Sequence, residues 1–143
     1  MTDHLARVER DIAAPPETVW DVLTDPGPNP EIMFGAKVES TWRVGDRITW
    51  SGEWEGKPYE DHGEILEVEP GRILRMTHFS PLTGQDDVPE NYHVLEYRLT
   101  PTASGTHVRL TQDNNETPEA AEHSTGMWRS MLDGLASVAE AEA

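Results

Sequence analysis

The apolar residues change period three times along the chain. Between Leu5 and Ile12, Leu5, Val8 and Ile12 alternate imperfectly with charged neighbours, the pattern of a short strand. Ala14-Pro15-Pro16-Glu17 then opens a helix, because proline in a first turn lacks only an N–H that has no helical partner there. Val19, Trp20 and Leu23 give this helix an apolar face, and Asp25-Pro26-Gly27-Pro28 stops it. Glu31 to Ala36 is ambiguous and fits a short helical turn presenting Ile32, Met33 and Phe34. From Lys37 to Asp113 the pattern is one of strands broken by turns. Val44-Gly45-Asp46 separates two of them, Glu55-Gly56 marks a hairpin before Tyr59, and Thr102 to Gly105 joins the last two. Glu69-Pro70-Gly71-Arg72 has Pro and Gly at the central positions that a type II turn prefers. Helical spacing returns at the end, where Trp128, Met131, Leu132, Leu135 and Val138 recur on one face. Thr117 is suited to cap this helix, Pro118 to start it and Glu119 to complement its dipole.

The predicted order is strand, helix, helical turn, about six consecutive strands and a long helix. Consecutive strands joined by short turns pair antiparallel. One sheet face has to be covered, and the last helix is the only large cover available. The expected fold class is α+β: a curved antiparallel sheet gripping a long C-terminal helix, as one domain over residues 1–143.

The formal net charge of −16, with Lys37 and Lys57 the only lysines, disfavours nucleic acid and anionic membrane surfaces as partners. The absence of cysteine excludes disulfides, thiolate catalysis and Cys-based zinc sites. No apolar run approaches the roughly 20 residues needed to cross a bilayer, and Met1 to Arg10 shows no signal-peptide core. The expected location is the cytoplasm, and there the Asn115-Glu116-Thr117 sequon is expected to be chance. The sequence has no P-loop, no dinucleotide glycine fingerprint, no G-x-S-x-G elbow and no H-E-x-x-H. No cofactor, metal or catalytic residue is assigned.

Pro15-Pro16-Glu17-Thr18-Val19-Trp20 resembles the opening helix of the START-like (SRPBCC) superfamily. Further along come Ser40-Thr41-Trp42-Arg43-Val44-Gly45-Asp46 with Trp50, Gly56-Lys57-Pro58-Tyr59-Glu60-Asp61-His62-Gly63-Glu64-Ile65, and Pro70-Gly71-Arg72-Ile73-Leu74. Gly105-Thr106-His107-Val108-Arg109-Leu110-Thr111 and Trp128-Arg129-Ser130-Met131-Leu132-Asp133-Gly134-Leu135 follow. In this order, over nearly the whole chain, these motifs resemble bacterial proteins related to the C-terminal domain of the activator of heat shock protein 90 ATPase. The resemblance implies the helix-grip fold, a small apolar or lipid-like ligand held between sheet and helix and, through the co-chaperone relatives, a protein partner or a place in the stress response. Those relatives carry much of their chaperone contact on an N-terminal domain for which this chain has no room.

Strand parity suggests which residues face the helix. Leu74, Met76 and His78 share one face, as do His93, Leu95, Tyr97 and Leu99, and Val108, Leu110 and Gln112. A mostly apolar pocket with a few polar groups is the usual form of a small-molecule site. In this reading His78, His93 and Gln112 orient a ligand's polar end. Trp20, Trp50, Met76, Leu95, Tyr97, Trp128, Met131 and Leu132 line its body, with Met33 and Phe34 as a gate. The competing reading sets the histidines at the sheet rim in solvent. Glu60, Asp61, His62 and Glu64 read as a solvated hairpin, because Asp61 and His62 point to opposite faces. Behind ligand binding stand a protein–protein adaptor and a cyclase-, hydratase- or hydrolase-type enzyme using His78 or His93. Trp42 or Trp54 could anchor a homodimer.

Overall fold

Among the described residues, alternation of apolar and polar positions becomes seven strands, and helical periodicity becomes two α-helices. The structure is a computed structural model that describes residues 4–24, 37–81, 84–115 and 117–142, without the side chain of Trp54. The elements are β1 (His4–Ile12), α1 (Pro16–Thr24), β2 (Lys37–Ser40), β3 (Arg47–Trp54), β4 (Lys57–Glu69), β5 (Ile73–His78), β6 (His93–Thr102), β7 (Gly105–Asn115) and α2 (Pro118–Glu142). They form one antiparallel sheet in the order β1-β7-β6-β5-β4-β3-β2. The helical turn expected at residues 31–36, with the gate residues Met33 and Phe34, lies outside the described residues.

Turn chemistry sets the register. Glu55 and Gly56 both have positive φ, as a tight two-residue hairpin between β3 and β4 requires. At the next turn the Arg72 N–H donates to the Glu69 carbonyl with Gly71 at φ +78°, the geometry expected of Pro70-Gly71. A bulge interrupts β4 between Ile65 and Glu67, and a bulged strand bends.

Every second side chain of β7 from Thr106 to Gln112 is buried, and Ala6, Val8 and Ile12 of β1 match them. α2 lies mainly across β1, with α1 beside it and β7 beneath. Its buried face is Ala121, Trp128, Met131, Leu132, Leu135, Ala136 and Ala139. Burying each of the large side chains contributes on the order of 1.5–3 kcal/mol. Ala120 N–H donates to Thr117 Oγ1, which caps the helix as its sequence anticipates. No described helix is long and apolar enough to cross a membrane.

Candidate functional site

The half of the concave face made by β3, β4 and β5 carries a polar row. Trp50 of β3 pairs with Asp61 of β4, and His78 of β5 pairs with His93 of β6. Gly63 stands between them, opposite His78 in the β4–β5 ladder. A Cβ at Gly63 would fall 1.8 Å from the Thr77 carbonyl oxygen, so only glycine permits this approach of the two strands. With no side chain at 63, the His78 imidazole leans towards β3. Its Nε2 lies 3.0 Å from Asp61 Oδ2, and its ring meets Trp50 edge-on with centroids 4.8 Å apart.

A carboxylate only accepts, so the shared proton sits on Nε2, and whenever the ring is neutral Nδ1 carries a lone pair. The Asp61 and His78 side chains are only 15% and 12% exposed. Asp61 Oδ1 and His78 Nδ1 are buried and have no hydrogen-bond partner. Such atoms are rare in folded proteins, and each costs about 1–3 kcal/mol relative to a paired one. The His93 ring centre lies 6.3 Å from that of His78, and its Nδ1 donates to the Asp113 carbonyl at 2.8 Å. Met76 and Leu95, paired across β5 and β6, are fully buried next along the same face.

The opposite face of the same ladder holds a second histidine pair. His62 Nε2 lies 3.0 Å from Asp87 Oδ2 and 2.9 Å from the Tyr92 hydroxyl, which itself donates to Asp87 Oδ1. Tyr92 stacks on buried Phe79 with centroids 5.2 Å apart. Burial and the Asp87 bond push the Tyr92 hydroxyl up to about 12, and that bond holds the Asp87 carboxyl below its ordinary range. Asn114, at φ 57°, donates to the carbonyls of Glu90 and Tyr92 and fastens this loop to β7.

Of the residues predicted to line a ligand, His78 and His93 belong to the polar row, and Trp50, Met76 and Leu95 beside it share one contiguous buried core with Trp20, Tyr97, Trp128, Met131 and Leu132. Gln112 serves that core, since its buried Oε1 accepts from Trp128 Nε1 at 3.0 Å.

Two expectations need correction. Asp61 is not part of a solvated hairpin: it shares the inward face of β4 with Ile65 and pairs across strands. Trp42 is not an exposed anchor, because it is half-buried against the core with φ 60°. Asn115, first residue of the sequon expected to be chance, is 4% exposed and donates to the carbonyls of His4 and Gln112. A shallow groove open to solvent runs along the β2–β3 edge past Val38, Trp42, Arg47 and Thr49, and none of Asp61, His78 and His93 lines it.

The family model described as activator of Hsp90 ATPase homolog 1-like protein matches residues 13–140. The chain belongs to that family. Several solved structures share its architecture. The solution structure of a protein from Cytophaga hutchinsonii is 48% identical with TM-score 0.79, covering 96% of this chain and 94% of that one. A crystal structure from Mesorhizobium loti is 29% identical with TM-score 0.74, covering 93% and 94%. A putative protein of the dynemicin biosynthetic locus, 18% identical with TM-score 0.76 over 94% of this chain and 46% of its own, shares the fold. Comparison with curated proteins gives no match.

Proposed function

We propose that the chain binds a small, largely apolar molecule by its polar end, at the Asp61–His78 pair on the concave face of the sheet. The observation that carries this reading is the pair of buried, unpartnered atoms, Asp61 Oδ1 and His78 Nδ1. A fold that leaves two such polar atoms unpaired beside Trp50, Met76 and Leu95 gives up stability that a ligand can restore. Membership of the activator-like family supports a ligand-binding domain without naming a ligand.

A second reading has one observation in its favour. A histidine oriented by a carboxylate is the arrangement a general base uses, with Nδ1 as the working atom. Under this reading the domain would process its ligand as well as hold it. The adaptor reading, with a protein partner or a second copy of the chain, draws less support. Among the described residues the large exposed apolar side chains are Leu5, Val44, Leu66 and Met127, each on a different element or loop.

Native mass spectrometry of gently purified protein, followed by denaturing extraction, tests the proposal. A co-purifying small molecule that the Asp61→Leu/His78→Leu variant no longer retains is the expected result. The same molecule retained by that variant would remove the pair from the binding site.

A further inference from the structure

The ligand-binding reading leaves the chemistry of the polar end open, and the pair's hydrogen-bond inventory narrows it. Resting on that reading, we infer that the ligand presents a hydrogen-bond donor, a hydroxyl or phenol, and that carboxylate-ended molecules such as fatty acids are disfavoured.

With the imidazole neutral, both unpartnered atoms are acceptors. The Asp61 carboxylate has no proton to give, and a neutral His78 spends its one N–H on Asp61 Oδ2, so Nδ1 then offers only a lone pair. Among the described neighbours, His93, Asp113 and Trp128 have their polar groups engaged. His93 directs its Nδ1–H to the Asp113 carbonyl, and Asp113 Oδ1 already accepts from the Val94 N–H. The Trp128 N–H is taken by Gln112. No lysine or arginine belongs to the inward row formed by Trp50, Asp61, His78 and His93. A ligand carboxylate would bring a second negative charge to Asp61 with no cation to meet it. An uncharged hydroxyl donates to either acceptor and is desolvated at far lower cost. The overall charge of −16 acts in the same direction at longer range. Trp50, set edge-on to His78 and 4% exposed, gives an aromatic body a flank of matching shape.

Three probes of one shape separate the contributions: naphthalene for the apolar body alone, 2-naphthol with a donor, and 2-naphthoate with an anionic acceptor. Binding of each to the wild-type chain is followed by calorimetry or fluorescence at about pH 8, where an ordinary imidazole is neutral. The expected result is that 2-naphthol binds at least about tenfold tighter than 2-naphthoate, the ratio that corresponds to a single hydrogen bond. In the Asp61→Leu/His78→Leu variant that ratio should fall towards one. Equal or tighter binding of 2-naphthoate, or a 2-naphthol preference that survives in the folded double variant, overturns the inference. If naphthalene still binds in that case, the apolar-ligand reading stands. Failure of all three probes to bind the wild type overturns both.

Discussion

Two histidine–aspartate pairs sit back to back on one strand ladder. His62 and His78 each place Nε2 3.0 Å from a carboxylate oxygen, and their positions in the β4–β5 ladder are adjacent. The outer pair is closed: Tyr92 completes the triangle, Phe79 stacks beneath it, and Asp87 is half exposed to water. The inner pair is open, with one polar atom on each partner left unpaired away from water. A closed network holds a loop in place, whereas an open one loses stability until something fills it. The same two residue types therefore do different work on the two faces of the sheet, and the difference lies in which atoms remain unmatched.

The largest way to break the comparison removes the feature on which both pairs depend. Gly63→Ala puts a methyl group into the Thr77 carbonyl and is expected to cost about 3 kcal/mol or more in chemical denaturation, because the β4–β5 ladder must open to accept it. Next comes the inner pair. His78→Leu alone leaves the Asp61 carboxylate buried without its partner and should destabilise by about 2–4 kcal/mol. Adding Asp61→Leu should recover most of that loss, since an apolar pair of similar volume needs no partner. A double-mutant cycle on unfolding free energies reads this directly.

Smaller effects sharpen the contrast from the outer face. Tyr92→Phe removes the hydroxyl that donates to Asp87, so the Asp87 carboxyl should titrate closer to its ordinary value, with His62 still bonded to it. Carbon NMR of the side-chain carboxyl follows that titration. The smallest effect concerns a third cluster, on the β1–β7 edge, where His107 bonds both Glu9 and Asp11. The bonds from Glu9 and Asp11 raise the His107 imidazole above its ordinary range, and the His107 bond lowers Glu9. The stabilisation from His107 is therefore complete below the unfolded imidazole's range and is lost as pH rises through its raised folded value. The Glu9 contribution is complete above the ordinary carboxylate range and disappears as pH falls through its lowered folded value. A shallow plateau in stability between those two limits, flattened in His107→Gln, is the expected profile in pH-dependent thermal unfolding.

The fold was more legible in the sequence than the site. Turn residues and periodicity lead to the seven strands, the Thr117 cap and the long last helix because each follows from local chemistry. The site depends on register, which relates residues on different strands. Viewed along β4 alone, Asp61 and His62 point apart and look unable to cooperate. Each in fact finds its partner elsewhere, Asp61 on β5 and His62 in the loop before β6. One local signal did point inward: Asp61, Gly63 and Ile65 share a parity, and Ile65 is wholly buried. Parity places Tyr97 on the inner face, but the packing of α2 over β1 and β7 follows only from the assembled fold.

The most direct test of the central claim is nitrogen NMR of the histidine side chains during titration with 2-naphthol. A ligand that donates to the inner pair should shift the Nδ1 resonance of His78 towards the hydrogen-bonded range while leaving His62 in place. A His78 resonance that stays put at saturation, or a matching shift at His62, would contradict the distinction between the open and the closed pair.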